Sequence, residues 1–328
     1  MLEISLERQM SKRICLIFIL LSAFITTTCS QVSPNPSSLS ANPSPAIHQG
    51  AIELTDGLNR TVQLTGPAKR IVSLAPSNTE ILFAVGAGEQ VVGRDSYSDY
   101  PAEAQTVTDI GGGFGDLNFE TIVSLKPDLV LASSLSTEAQ IETLEKLGIT
   151  VFALSNPTDF EGMYDNLRIT AKLSGHEAKT EALIGELETR VTAIQKKMAA
   201  TQARPLVFYE LDGSEPDAPW TAGGGTFIST LIEMAGGQNL GDKLAGEWVQ
   251  ISAEELITQN PDVIILGDYT WGGVTPDQVA TRAGWDSIAA VINDKVYTFD
   301  DNLVSRPGPR LVDGLESMAV LLHPELYP

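Results

Sequence analysis

Hydrophobic and polar positions along the chain alternate between short continuous apolar runs and longer stretches with apolar residues three or four apart. The first pattern predicts buried strands and the second amphipathic helices. Both appear between Arg70 and Pro101. Ile71 to Leu74 reads as a buried strand stopped by Ala75-Pro76. Ser77 or Asn78 can cap a following helix that carries Ile81, Leu82, Phe83 and Val85, with Glu80 close to the capping-box position. Gly86 and Gly88 end that helix, and Val91-Val92-Gly93 opens a second strand running into the polar, aromatic loop Arg94 to Pro101. The unit is β-α-β, and it delivers Tyr97 and Tyr100 to a strand end, where open α/β sheets place their ligands.

The same rhythm recurs downstream. Ile52 to Gly57 and Thr61 to Leu64 alternate around a turn and predict a hairpin. Asn118 can cap a helix over Phe119 to Leu125, followed by the strand Leu129 to Ala132; a helix from about Thr137 to Leu147 then feeds the strand Thr150 to Leu154. Residues 159–203 break the pattern with two helices meeting at Ser174-Gly175-His176. In the second, Ile184, Leu187, Val191, Ile194 and Met198 form one apolar stripe, as expected of a long helix joining two lobes. Beyond it, strands at Leu206 to Tyr209, Val263 to Leu266 and Val296 to Phe299 alternate with helices at Thr226 to Ala235, Ser252 to Thr258 and Pro309 to Leu322. Glu120 and Glu254 each stand seven residues before a Pro-Asp pair and an apolar strand, an internal repeat that points to related lobes. The predicted fold is α/β: two doubly wound, Rossmann-like lobes, 51–158 and 204–328, joined by a single long α-helix within 159–203.

Composition changes this picture mainly at the N-terminus. Lys12-Arg13 precede an apolar run, Ile14 to Leu21, and small and polar residues up to Cys29, the order of an export signal over 1–29. Ile25 to Cys29 is similar to a bacterial lipoprotein cleavage site, with Thr26 where leucine is usual. Lipidation at Cys29 and ordinary cleavage nearby both remain open. The Ser- and Pro-rich stretch 30–50 buries too little apolar surface to fold and reads as a tether. No cysteine follows Cys29, which excludes disulfides, thiolate metal sites and cysteine nucleophiles from the folded part. Net charge is −21; without the first 28 residues it is −22, from 18 basic and 40 acidic side chains. Such a surface disfavours nucleic acid as a partner.

Catalytic chemistry finds little support. The three histidines, His48, His176 and His323, have no metal-type partner at helical spacing, and no nucleophile elbow, phosphate loop or dinucleotide fingerprint is present. Neither an enzyme nor a metal site is expected. Aromatic residues beside turns stand out instead: Tyr97, Tyr100, Phe114, Trp220, Trp248 and Trp271. Each ring could simply plug its own loop. Their number favours a shared cleft for a large planar ligand. Glu120 and Glu254 read either as solvated first-turn residues or, because they recur in both halves, as acidic knobs for a basic partner.

Arg70 to Ile81, Ser96-Tyr97-Ser98-Asp99-Tyr100-Pro101, and Leu117 to Val123 with Lys126-Pro127-Asp128 resemble the cobalamin-binding periplasmic proteins of ABC importers. These belong to a wider group that binds haem and ferric siderophores. The resemblance covers about 52 to 328, and the hexapeptide is its most cobalamin-specific part. It implies two lobes joined by one rigid helix, a ligand cleft between them, and an exported monomer that delivers a corrinoid such as cobalamin (vitamin B12) without a resident cofactor. Haem or a ferric siderophore is the alternative cargo. It further implies that Tyr97, Phe114, Trp220 and Trp248 pack the ligand and that Arg306 and Asp301 supply polar contacts, with Asp300 nearly as good a candidate because the alignment needs a one-residue gap. Glu120 and Glu254 match lobe-tip glutamates that pair with arginines of the dimeric permease, and Cys29 would carry a membrane anchor.

Overall fold

The computed structural model describes residues 50–113 and 115–327. The export signal, Cys29, the tether up to residue 49, and Phe114 lie outside the described residues. The described chain opens with an antiparallel hairpin, β1 (Ile52–Thr55) and β2 (Thr61–Leu64), in which Ile52 faces Leu64. The first lobe follows: β3 (Ile71–Ser73), α1 (Pro76–Ala84), β4 (Val91–Arg94), α2 (Phe119–Ser124), β5 (Leu129–Ala132), α3 (Glu138–Lys146) and β6 (Val151–Ala153). Its four strands are all parallel, in the order β4-β3-β5-β6. Ile71, Leu129, Leu131 and Phe152 pack on one face of this sheet, and Val72, Val130, Ala132, Val151 and Ala153 on the other. A parallel sheet covered on both faces needs the continuous apolar runs seen in the sequence.

Two helices lead out of this lobe, α4 (Phe160–Ser174) and α5 (Glu177–Met198). Asp159 caps α4 by accepting from the Gly162 N–H at 2.8 Å, and Gly175, at φ +79°, makes the left-handed turn that ends it. The second lobe comprises β7 (Leu206–Asp212), β8 (Trp220–Ala222), α6 (Phe227–Met234), β9 (Gln238–Asn239), β10 (Trp248–Gln250), α7 (Ala253–Gln259) and β11 (Val263–Leu266). It continues through α8 (Tyr269–Gly272), α9 (Pro276–Ala280), α10 (Ala289–Ile292), β12 (Val296–Thr298), α11 (Asn302–Ser305) and α12 (Leu311–Leu322). The sheet order is β10-β8-β7-β11-β12, with β9 paired to β7. Here β7, β9, β11 and β12 are parallel, whereas β8 and β10 run antiparallel, so this sheet is mixed. Among the described residues no helix is long and apolar enough to cross a membrane.

The repeated Pro-Asp pair has the same task in each lobe. Asp128, just before β5, accepts from the backbone N–H groups of Lys69 and Arg70 at 2.8 and 3.0 Å, while its own N–H donates to the Arg70 carbonyl. Asp262, just before β11, accepts from the Leu206 N–H at 2.8 Å and donates its N–H to the Leu206 carbonyl. In both lobes the aspartate buckles the start of one strand to the start of its parallel neighbour.

The five stripe residues of α5 are all buried. They belong to one apolar core that also takes Ile71, Leu82 and Leu167 from the first-lobe side and Val207, Leu231 and Leu315 from the second. Each lobe keeps a separate core on the outer face of its sheet. The helix is pinned by charge at both ends of its length: Arg168 reaches Glu181 at 3.1 Å, and Arg190 reaches Glu316 of α12 at 2.9 and 2.6 Å.

Two local expectations are corrected. Glu80 takes no part in a capping box: α1 starts at Pro76, its N-cap Ala75 has no side chain to offer, and Glu80 is buried. Asn78 is buried as well, donating to the carbonyls of Leu131 and Ala132 at the end of β5. Trp220 and Trp248 sit on strands rather than in irregular loops. Strands of three residues are too short to register as alternation, and only pairing with each other reveals them.

Candidate functional site

The carboxyl end of β4 runs directly into the Tyr97 loop. Asp95, fully buried there, accepts from the Tyr97 backbone N–H at 2.9 Å and from the Ser98 hydroxyl. Ser98 continues into a buried hydroxyl chain with Thr79 and Ser73, each step 2.8 Å. This chain ties the loop to the end of β3 and the start of α1. Burial pushes the Asp95 pKa up, against its hydrogen bonds from Ser98 and the Tyr97 N–H and the charge of Arg306. The Tyr97 side chain is about half exposed and rests on Gly113, where a built Cβ would come within 2.2 Å of the ring. Gly113 also holds φ +70°, so the glycine run is what lets the tyrosine ring lie flat at this strand end.

From the second lobe, Arg306 reaches this loop. Its Nη1 lies 2.5 Å from Asp99 and 3.6 Å from Glu80. Arg310 grips Glu80 with two hydrogen bonds, 2.9 and 2.5 Å, and stacks its guanidinium 3.9 Å over the Tyr100 ring. Burial raises the Glu80 pKa, opposed first by Arg310 and then by Arg306. The predicted Arg306 therefore does meet the Tyr97 loop, through Asp99. Glu80, Asp99 and Arg310 are functional candidates that sequence reasoning missed, because their partners lie more than 200 positions away.

Asp301 is placed differently from Arg306. One of its oxygens accepts from the buried Tyr209 hydroxyl at 2.6 Å, and burial pushes both pKa values up. It braces the middle of β7 from within the lobe. Asp300 is exposed and accepts from the Asn302 backbone and side-chain amides at 3.1 and 2.9 Å. Trp220 and Trp248 are brought together by register: Gln250 faces Trp220, and Trp248 lies two residues from Gln250, so both rings leave the same face of the β8–β10 ribbon. Both are substantially exposed, 38% and 49%.

A buried polar cluster lies deeper in the second lobe. Arg282 forks onto Glu210 at 2.5 and 2.8 Å, and Asp268 beside them accepts from the Gly213 N–H at 2.9 Å. The other Asp268 oxygen has no partner. Burial and the neighbouring Glu210 carboxylate push the Asp268 pKa up to about 7. Nothing local marks this carboxylate pair, because its members stand far apart along the chain.

Glu120 and Glu254 are exposed and occupy the first turns of α2 and α7, whose N-caps are Asn118 and Ser252. Among the described residues no three His, Cys, Asp or Glu side chains are grouped to hold a metal ion. A cavity of about 870 Å³ opens on the flank between α1, α5 and the start of α12, lined by Phe83, Tyr100, Leu183, Leu187 and Arg310 among others. None of Tyr97, Trp220, Trp248, Asp301 or Arg306 lines it. The strand ends of the two sheets are the alternative: Tyr97 follows the carboxyl end of β4, and Trp220 lies opposite Asp212 at the carboxyl end of β7.

Residues 71–303 match the periplasmic binding protein family. An uncharacterised ABC transporter substrate-binding lipoprotein, YvrC of Bacillus subtilis, is 35% identical over 84% of this chain and 87% of its own length. A cobalamin-binding protein of Halobacterium salinarum is 30% identical over 94% of this chain and 84% of its own. The crystal structure of the periplasmic vitamin B12 binding protein BtuF of Vibrio cholerae superposes with a TM-score of 0.67 at 28% identity, over 78% of this chain and 97% of BtuF. The chain belongs to the periplasmic binding protein family.

Proposed function

We propose that this protein is an extracytoplasmic solute-binding protein that captures cobalamin or a related corrinoid and delivers it to the permease of an ABC importer. The observation that carries this reading is the set of exposed aromatic rings on firmly held strand ends. Tyr97 is fixed through Asp95 and Gly113, while Trp220 and Trp248 share one face of a ribbon. Flat, rigid rings cover a planar macrocycle at little entropic cost, and Arg306 supplies donors for its peripheral amides. The cobalamin-binding and vitamin B12 binding relatives support the same cargo. No reaction is assigned to the protein, and no resident cofactor is needed for capture and release. The acidic pair Glu120 and Glu254 would dock onto basic residues of the permease dimer, Cys29 would hold the protein at the membrane by a lipid, and the binding unit would act as a monomer.

Titration with cyanocobalamin, followed by calorimetry or tryptophan quenching, tests the cargo. Saturable binding is expected. Absence of binding at tens of micromolar, with haem or a ferric siderophore binding instead, overturns it (the concentration is an order-of-magnitude choice, roughly 6–7 kcal/mol of affinity).

A further inference from the structure

Around Arg306 the carboxylates outnumber the guanidinium groups. Glu80, Asp95 and Asp99 come from the first lobe and Asp300 and Asp301 from the second, while Arg306 and Arg310 face them. Arg310 is consumed by the paired oxygens of Glu80. Of these two guanidinium groups that leaves Arg306 to meet a ligand, and it is not bare: Asp99 sits on its Nη1. Among the carboxylates around Arg306, Glu80 and Asp95 are buried and Asp301 is engaged by Tyr209, whereas Asp300 and Asp99 are exposed, the Asp99 side chain by 55%. Of the two exposed ones, Asp99 is the one that sits on the Arg306 guanidinium. It also stands two residues from Tyr97, within the same loop. A guanidinium has five N–H donors, so one occupied by Asp99 can still donate to neutral carbonyl oxygens. What it no longer offers is uncompensated positive charge for an anion.

Resting on the corrinoid reading above, we propose that Asp99 is a specificity-determining residue: by pairing with Arg306 it makes the cleft accept amide-bearing ligands and reject carboxylate-bearing ones. The chemical class selected is a macrocycle whose edge carries carboxamides. A haem, with two carboxylates, or a corrinoid with one amide hydrolysed to an acid brings negative charge against Asp99, Glu80 and Asp95, where like charges close together are costly.

The test measures, by calorimetry on the full binding unit, the affinities of cobalamin and of its monocarboxylic acid for the wild type, Asp99→Asn and Asp165→Asn. Asp165 is an exposed carboxylate of α4 away from the cleft and controls for a change in overall charge. The wild type is expected to favour the amide form by about tenfold or more, and Asp99→Asn to narrow that ratio by about tenfold. Asp165→Asn should keep the wild-type ratio, and raised salt should shrink the discrimination. Equal binding of both forms by the wild type overturns the proposal, as does a ratio that Asp99→Asn leaves unchanged or that Asp165→Asn shifts as much; in each case cobalamin still binds and the parent reading stands. Binding of neither corrinoid overturns both.

Discussion

Arg310 holds Glu80 through two hydrogen bonds, 2.9 and 2.5 Å, between side chains 14% and 2% exposed and 230 positions apart. The pair joins the first helix of one lobe to the last of the other. Removing one member of a buried ion pair strands the other, at a cost on the order of 3–5 kcal/mol. Arg310→Gln is expected to fall near the low end of that range, because Arg306 remains 3.6 Å from Glu80. Glu80→Gln combined with Arg310→Gln should be less harmful than Arg310→Gln alone. Urea unfolding of Glu80→Gln, Arg310→Gln and the double variant checks this, and a fully additive double variant would contradict the coupling.

Trp220 and Trp248 are exposed, so truncating them should cost the fold little while removing ligand contact. Trp220→Ala and Trp248→Ala are each expected to weaken corrinoid binding by about 1–3 kcal/mol, roughly fivefold to 150-fold. Melting temperatures should stay within about 2 °C of the wild type. Calorimetry alongside thermal melts separates the two effects.

Asp268 makes a signed prediction about pH. Its folded pKa, about 7, lies above the ordinary 3.8, so between those values the folded state keeps a proton that the unfolded state has lost. Stability therefore falls as pH rises from about 4 to about 7, by on the order of a few kcal/mol. Asp268→Asn mimics the protonated form. Its advantage over the wild type should be small at pH 5 and greatest at pH 8, as read by denaturant midpoints; an advantage independent of pH would rule the explanation out.

Glu120 and Glu254 concern transport rather than capture. Both are exposed on first turns of equivalent helices. Reversing both to lysine should abolish uptake in cells through the cognate importer while changing solution affinity for cobalamin less than about twofold. Undiminished uptake would refute the docking role.

Much of this was legible in the sequence, and the limits have physical causes. The parallel strands announced themselves because both faces of each sheet are buried, which demands unbroken apolar runs such as Val263 to Leu266. The stripe on α5 was equally plain. The Pro-Asp repeat was visible as a pattern, but the strand buckle formed by Asp128 and Asp262 was not, since it depends on which strand lies alongside. Glu80 was misread because a glutamate near a helix start looks alike whether it caps the helix or reaches across to another lobe. The Glu210–Asp268 pair carries no local signal, and Asp99, although it lies inside the hexapeptide, carries none for its partner. Their meaning is set by Arg306 and Arg282, which only the folded chain brings near.

The apolar stripe of α5 fills the place where a hinge would otherwise be. Leu187 and Val191 share one continuous core with both lobes, so swinging the lobes apart by more than a small angle would draw water between them. On the solute-binding reading proposed above, loaded and empty forms are expected to present nearly the same outline. A receiving permease would then have to tell them apart by what the protein holds, not by its silhouette.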